Sequence, residues 1–263
     1  MGIQGAALAT ILSQFVSAVW VFRFLTGKKA IIPLTRASMR LQGGLVKNIS
    51  VLGTSGFIMS VTNSAVQIIC NATLQQYGGD LYVGAMTVIY SIREVVQMPL
   101  QGFTQGAQPV LGYNYGARQY GRVREGIRFV TTVSLAFASA AWLILMLFPG
   151  QLIRLFNGEQ ELLEVGIISL RIHFVLFIFM AFQYAGQNIF VSLGKAKQAV
   201  FFSLFRKAIL GVPLILILPH LWNLGIYGVL ASEPVTNIVG GLACYFTMLH
   251  VVGGELKAGE RSA

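Results

Sequence analysis

Ionisable side chains inside long apolar stretches are the first residues of this sequence that could do chemistry. Arg93 and Glu94 lie in one such stretch, and Glu233 lies in another, directly before Pro234. A carboxyl group that is desolvated by its surroundings can take up and release a proton near neutral pH, which is what a proton-coupled carrier needs. Glu94, Glu233 and Arg93 are therefore candidates for ion coupling. The alternative is a structural ion pair of a glutamate with Arg93 or Arg206.

Uncharged polar side chains recur at three- and four-residue steps in several apolar stretches, which places them on one face of a helix. Polar groups are costly in hydrocarbon, so such a face meets either another helix or water. Stripes on several helices predict a common hydrated cavity, and the alternative is interhelical hydrogen bonds worth about 0.6 to 2 kcal/mol each. The predicted substrate-cavity residues are Asn63, Gln67, Tyr90, Gln97, Gln183 and Gln187.

The composition indicates whether this chain folds in water or in a lipid bilayer. Hydrophobic residues make up 55% of its 263 residues and charged residues 11%, whereas soluble domains carry about 25% charged residues. The mean hydropathy is +0.70. A water-soluble globule of this length would need more ionic surface, so we predict an all-α integral membrane protein with the lipid bilayer as its partner.

The net charge of +10 does not point to nucleic acid, because the basic residues are divided among short segments between apolar stretches. That distribution is typical of loops on the cytoplasmic side of a bilayer.

Cys70 and Cys244 lie inside apolar stretches and are predicted to be packing thiols. The three histidines are scattered and no His-Glu-x-x-His motif occurs, so we predict no metal centre, no cofactor and no enzymatic activity.

A bilayer-spanning helix needs about 20 mainly apolar residues. Lys and Arg concentrate in alternate connections between such segments, which predicts that the first helix enters from outside and that the C-terminus is cytoplasmic, in a multi-pass protein of the cell membrane. The seven predicted spans are about Gly2–Leu25, Ile49–Leu74, Leu81–Gln108, Ile127–Phe148, Leu162–Leu193, Gln198–Leu221 and Gly225–Val252.

Four regions follow from these spans. Residues 1–27 hold a helix whose positive charges come after it, unlike a secretory signal, and we expect it to be the last helix of a missing N-terminal lobe. Residues 2–10 also echo residues 225–232, as parallel repeats would, although small residues recur at any tight helix interface. Residues 28–48 are predicted to form a cytoplasmic amphipathic connector or a flexible linker, residues 49–252 a six-helix lobe, and residues 253–263 a cytoplasmic tail.

A distinctive motif ends the third predicted span. Residues 102–118 read Gly-Phe-Thr-Gln-Gly-Ala-Gln-Pro-Val-Leu-Gly-Tyr-Asn-Tyr-Gly-Ala-Arg. The run resembles the signature that multidrug and toxic compound extrusion (MATE) transporters carry at the equivalent helix of their C-terminal lobe. The opening of the first segment also looks like the sixth helix of that family, and residues 193–195 look like the end of its tenth. The motif residues are Gly106, Gln108, Pro109, Tyr113, Asn114 and Gly116, and we expect Gly106, Pro109 and Gly112 to interrupt the helix.

The resemblance implies a twelve-helix carrier made of two six-helix lobes around a central cavity. By that comparison this chain holds the sixth helix and the C-terminal lobe of a secondary active antiporter. Proton or sodium entry would drive export of organic cations, drugs or other amphipathic toxic compounds. The family's carboxylate on the first helix is absent from this chain. Where some relatives place acidic residues on the seventh and tenth helices, this sequence has Asn63, Gln67, Gln183 and Gln187.

Two other functions stay open on the sequence. A flippase of lipid-linked sugars or cell-wall precursors shares this helical plan, but it would need a cationic cavity, for which Arg93, Arg171 and Arg206 are available. A truncated product that transports nothing would also show every feature above, because alternating access requires one repeat to move against another.

Overall fold

The computed structural model describes residues 2–27, 42–156 and 158–262. Within these ranges all regular secondary structure is helical, which confirms the predicted all-α class. Short 3-10 turns lie at Phe177–Phe179 and Leu221–Asn223, and a π-helical segment lies at Phe205–Gly211. The α-helices are α1 (Gly2–Leu25), α2 (Gly43–Gly116), α3 (Tyr120–Leu147), α4 (Pro149–Arg154), α5 (Gln160–Phe174), α6 (Met180–Ser192), α7 (Ala196–Leu204), α8 (Val212–Ile217) and α9 (Ile226–Ser262).

The chain divides into two compact units, Met1–Thr54 and Ser55–Ala263. In the first unit, α1 is apolar on all of its faces, and large side chains such as Phe15 and Trp20 are exposed. An apolar helix surface of this kind is expected in lipid rather than in water. The second unit holds α2 from Ser55 onward, α3 to α9 and both clusters of buried apolar side chains.

Gly79 divides α2 into two arms, residues 43–78 and 80–116. It has φ 66° and ψ −168°, a backbone conformation that favours glycine because a Cβ atom would be strained there. The predicted connection between the second and third spans lies at this position, so the break in α2 confirms it. The first arm and the second arm therefore correspond to two separate predicted helices.

In the part of the chain that the structure describes, four helical segments are long and apolar enough to cross a membrane: Ala7–Leu25, Tyr120–Leu147, Ala196–Ile217 and Ile226–Gly259. A fifth is the pair Gln160–Phe174 and Phe177–Ser192, which is bent by 43°. These findings fit an all-α membrane fold. The two arms of α2 are helical over the other two predicted spans but are not among the four, and the second arm carries Arg93, Glu94 and a row of glutamines that lower its hydropathy.

Several predicted boundaries differ from the structure. The expected interruption at Gly106, Pro109 and Gly112 is wrong, because α2 keeps helical geometry through them to Gly116 and the chain turns only at Arg118, with φ 58°. A proline removes a single backbone donor, and this helix accommodates that loss. Helix α9 continues to Ser262 through the region predicted as a tail. Of the predicted connector, residues 28–41 lie outside the described residues, and residues 43–48 form the start of α2.

The π-helical segment interrupts an otherwise continuous helix between α7 and α8. Pro213 follows it and cannot donate a backbone hydrogen bond, which favours a slip in the hydrogen-bonding register just before it. Because a π-helical turn is wider than an α-helical turn, successive side chains are separated by a smaller angle around the axis. Arg206 and Lys207, which are neighbours in this segment, can therefore both reach the same side.

Glycines bring α6 and α9 into close contact. A Cβ atom built on Gly241 of α9 would lie 2.6 Å from the Phe179 carbonyl oxygen, and one on Gly186 of α6 would lie 3.2 Å from the Cys244 sulfur. Small residues at such crossings let helix backbones approach closely, which is how helices associate in lipid. This contact fixes the position of α9 against the segment that precedes and forms α6.

We predict that Gly241→Ala lowers the stability of the protein by about 1 to 3 kcal/mol, because the new methyl group would overlap a backbone oxygen that cannot move aside. The measurement is the midpoint of thermal unfolding in detergent micelles. Gly253→Ala on the same helix is the matched control, since a Cβ atom there would meet nothing within 4 Å. Equal midpoints for the two variants would contradict the close contact between α6 and α9.

Candidate functional site

A cavity of about 280 Å³ lies within the unit Ser55–Ala263. Its wall is formed by both arms of α2, by α5, α6 and α8, by the π-helical segment and by α9. Its volume is close to the lower limit of ligand pockets, which begin at about 300 Å³. The charged residues on the wall are Arg93, Glu94, Arg206, Lys207 and Glu233, and large apolar side chains such as Leu74, Met86, Ile215 and Leu230 complete it.

The second arm of α2 supplies a continuous polar strip to this wall. Tyr90, Arg93, Glu94, Gln97 and Gln101 follow one another at helical steps and all line the cavity. This spacing repeats the 3.6-residue period of the helix, so one face of the arm is polar over about three turns. The predicted polar stripe on this helix is therefore directed at the cavity.

Glu233 forms ion pairs with two arginines from different elements. Its Oε1 atom lies 3.4 Å from Nη1 of Arg93, on the second arm of α2, and 3.3 Å from Nη1 of Arg206, in the π-helical segment. The side chains of Arg93 and Glu233 are 28% and 26% exposed, and that of Arg206 is 8% exposed. We call Arg93, Arg206 and Glu233 the ion-pair cluster. It connects three elements through a single carboxylate oxygen.

Arg206 is held in place by α9. Its Nη1 atom also donates a 2.9 Å hydrogen bond to Oδ1 of Asn237, one turn after Glu233. The aliphatic part of its side chain crosses Gly240, where a Cβ atom would lie 2.5 Å from Cγ of Arg206. Without a side chain at Gly240, Arg206 has room to reach the cavity. Arg206 therefore lies on the cavity wall.

Lys207 also turns into the cavity, where its ammonium group donates a hydrogen bond to Oδ1 of Asn63 on the first arm of α2. It lies near the middle of the apolar segment Ala196–Ile217. Among the described residues no carboxylate pairs with Lys207, so this ammonium group contacts an uncharged amide. No sequence pattern predicted a role for Lys207, because Asn63 becomes its neighbour only after folding.

Hydrogen bonds between uncharged side chains connect α6 to the second arm of α2 at the cavity wall. The hydroxyl group of Tyr184 donates to Oε1 of Gln97 at 3.0 Å and accepts from Nε2 of Gln101 at 3.3 Å. Nε2 of Gln97 in turn lies 3.3 Å from the Met180 sulfur. These contacts fix the glutamine side chains that would otherwise be free to rotate.

Two further polar side chains belong to the same wall. The sulfur of Cys70 lies 3.2 Å from the Tyr90 hydroxyl oxygen, and His173 is buried with its ring edge against Tyr90. The Nε2 atom of His173 has no partner among the described residues. Cys70 and Cys244 are both free and buried, as expected of packing thiols. His173 also lines the cavity, a position that no pattern in the sequence predicted.

Four of the six predicted cavity residues lie on the wall: Asn63, Gln67, Tyr90 and Gln97. The other two, Gln183 and Gln187, do not. Gln183 is buried against α9, where a Cβ atom on Gly241 would lie 3.7 Å from its backbone nitrogen, and its amide donates to Gln187 at 3.2 Å. Since neighbouring residues point in different directions on a helix, Tyr184 faces the cavity instead. The placement of Gln183 and Gln187 on the wall is thus corrected.

The three coupling candidates all line the cavity, but they have different surroundings. Arg93 and Glu233 are paired, whereas Glu94 is exposed and forms no ion pair with any described residue. No group of three or more His, Cys, Asp or Glu side chains in the described ranges could hold a metal ion.

The motif residues lie beyond the cavity. Gln108 donates a 2.5 Å hydrogen bond to Asn188 of α6, and the Asn114 amide donates to the Val110 carbonyl oxygen. Gly106, Pro109, Tyr113 and Gly116 are exposed.

Tyr115, within the motif, donates to Glu255 of α9 at 3.1 Å, and Lys195 pairs with the same carboxylate at 2.5 Å. The end of α2, the start of α7 and the end of α9 are thereby connected through Glu255. The motif consequently serves packing at one end of the helical bundle.

Comparisons with known proteins agree with this architecture. The family model described as MatE matches residues 57–217. The chain is 19% identical over 248 residues to the multidrug export protein MepA of Staphylococcus aureus (strain MSSA476), a match that covers 93% of this chain and 54% of MepA. The chain thus spans about half the length of the curated relatives it matches.

Solved structures show the same fold. An outward-facing multidrug resistance MATE family transporter of the MOP superfamily superimposes with a TM-score of 0.85 at 21% identity, covering 98% of this chain and 58% of that protein. An inward-facing MATE family transporter of the same superfamily superimposes with a TM-score of 0.83 at 21% identity, covering 98% of this chain and 59% of that protein.

We predict that Glu233→Gln lowers the free energy of unfolding by about 2 kcal/mol, a value between those of exposed and fully buried ion pairs. The variant leaves two arginines facing a neutral amide. The measurement is thermal or denaturant unfolding in micelles. Glu94→Gln removes a carboxylate from the same cavity without breaking an ion pair and should change stability by less than about 0.5 kcal/mol. The same loss in both variants would show that the ion-pair cluster does not stabilise the fold.

Proposed function

Because the chain belongs to the MatE family, we propose that the transporter containing it exports amphipathic small molecules, among them drugs and organic cations, by secondary antiport against protons or sodium ions. The observation that carries this proposal is the cavity itself. It places five charged side chains inside an all-α membrane fold, and charged groups at such positions usually belong to substrate or ion pathways.

The ion-pair cluster supports coupling between ion entry and movement of helices. A proton that binds Glu233 competes with Arg93 and Arg206 for the same carboxylate, and its binding would weaken both ion pairs together. Those pairs connect the second arm of α2, the π-helical segment and α9. Their release would therefore free three elements to shift, while deprotonation would bring them together again.

The chain contributes one lobe to this mechanism. It spans about half the length of its relatives, and we propose that a second, N-terminal lobe faces the cavity and completes the substrate site. Alternating access then consists of one lobe moving against the other around a fixed central site. The similarity of this chain to transporters solved in outward-facing and inward-facing conformations supports a fold compatible with both states.

A flippase of lipid-linked sugars or cell-wall precursors is the second candidate, and one observation favours it. Three cationic side chains, Arg93, Arg206 and Lys207, line the cavity and could contact a pyrophosphate group. Arg171, the other arginine considered for this role, is exposed and is not on the cavity wall. A flippase moves its lipid between leaflets, whereas an exporter releases a soluble compound into water, so the two functions differ in their product.

Efflux from proteoliposomes that contain the full-length transporter tests the proposal. We expect an amphipathic fluorescent dye to be moved only while a proton or sodium gradient is imposed, and ionophores that collapse the gradient should stop it. Proteoliposomes with the 263-residue chain alone are the control and should not export, since one lobe has no partner to move against. Dye movement that persists without either gradient would contradict antiport, and movement of a polyprenyl lipid instead of the dye would favour the flippase.

The role of Glu233 in coupling has its own test. We expect Glu233→Gln in the full-length transporter to abolish pH-dependent export, because the amide cannot bind and release a proton. Glu94→Gln is the matched comparison, and it should retain pH-dependent export if Glu233 is the coupling carboxylate. Unchanged dye efflux in the Glu233→Gln vesicles would remove Glu233 from the coupling mechanism.

A further inference from the structure

We infer that the cavity of this lobe binds the acidic headgroup of an amphiphile, a carboxylate or phosphate, through Lys207, with the apolar part of the molecule against the apolar side chains of the same cavity. This inference rests on the proposed transport function and specifies the charge of the substrate that the lobe accepts. It is drawn from the charges on the cavity wall and from what each of them already contacts.

The wall carries more positive than negative charge. Arg93, Arg206 and Lys207 line it together with two carboxylates, Glu94 and Glu233. Glu233 is shared by both arginines through one oxygen atom, and Lys207 contacts only the Asn63 amide among the described residues. Lys207 is thus the one cation of the wall that forms no ion pair with any described residue.

An ammonium group at this depth is costly. Lys207 lies near the middle of the apolar segment Ala196–Ile217, where placing a charged side chain costs about 2.5 to 3.5 kcal/mol on insertion scales. A single hydrogen bond to a neutral amide offsets only part of that cost. An anion bound beside Lys207 would supply the missing charge and explain why a lysine is tolerated there.

Two of the groups that would attract a cationic substrate, the Tyr90 ring and the Glu233 carboxylate, already contact arginines of the protein. The guanidinium carbon of Arg93 lies 5.0 Å from the ring centroid of Tyr90 and covers its face, which is the surface that a cation would otherwise contact. Glu233 is occupied by Arg93 and Arg206. An organic cation entering this lobe would therefore have to displace the protein's own arginines or rely on Glu94 alone.

The π-helical segment provides the geometry of the site. It directs Lys207 toward Asn63 on the first arm of α2, beside Arg206. The same cavity has an apolar wall that includes Leu74, Met86 and Leu230. A cationic group next to an apolar surface suits a molecule with an acidic head and a hydrocarbon body.

Binding to the 263-residue chain in phosphatidylcholine nanodiscs tests this inference, with empty nanodiscs as background. The probes are dansyl-labelled undecanoate and its trimethylammonium counterpart of equal chain length. We expect the acid to bind more tightly than the cation, and Lys207→Met to weaken binding of the acid about tenfold or more, as expected for one charge-assisted hydrogen bond. Tighter binding of the cation to the unaltered chain would overturn the inference.

Matched variants separate this role from a loss of folding. Lys207→Arg keeps the charge and should retain binding of the acid. Lys197→Met removes an exposed lysine at the start of α7, outside the cavity, and should have no effect. If Lys207→Met and Lys197→Met bind the acid equally well, the inference fails.

Two further experiments identify the source of the acid and show whether a negative result contradicts this inference or the proposed transport. Competition by undecaprenyl phosphate in the nanodisc would identify a lipid-linked substrate, whereas competition only by soluble alkyl phosphate would identify a small acidic amphiphile. In efflux assays with the full-length transporter, gradient-driven export of the cationic probe without the acidic one would refute this inference and leave the proposed transport intact. Failure to export either probe, together with tight binding of the acid, would refute transport alone.

Discussion

The ion pairs of Glu233 with Arg93 and Arg206 are the interaction on which the lobe depends. A charged side chain among apolar helices is costly, and pairing with a group of opposite charge offsets part of that cost. The three residues come from α9, from the second arm of α2 and from the π-helical segment. Their pairing therefore sets the mutual position of these elements and, with it, the shape of the cavity between them.

The backbone is adapted to bring these charges together. Gly240 leaves space for the side chain of Arg206, and Gly241 allows α9 to lie against the start of α6. The π-helical segment turns Arg206 and Lys207 toward one side of the helix, where a regular α-helix would separate them by a larger angle. The two glycines and the π-helical segment thus allow the charged side chains of the cavity to approach one another.

The same arrangement determines what the cavity can attract. Two arginines occupy the Glu233 carboxylate, and one of them also covers the Tyr90 ring, so two groups suited to a cationic ligand are satisfied within the protein. Lys207, in contrast, contacts a neutral amide. The ion pairs within the lobe therefore also affect its ligand selectivity, because a charge that is paired inside the protein is not available to bind a substrate.

The sequence by itself determined the membrane class, the helical segments, the break at Gly79 and the polar face of the second arm of α2. These features depend on local composition and on the 3.6-residue period, which a single helix already contains. Only the tertiary structure decided that Glu233 pairs with an arginine 140 residues away, and that Tyr184 rather than Gln183 faces the cavity. A period shows which residues share a face, but the neighbour that this face meets is fixed by packing between helices distant in the chain.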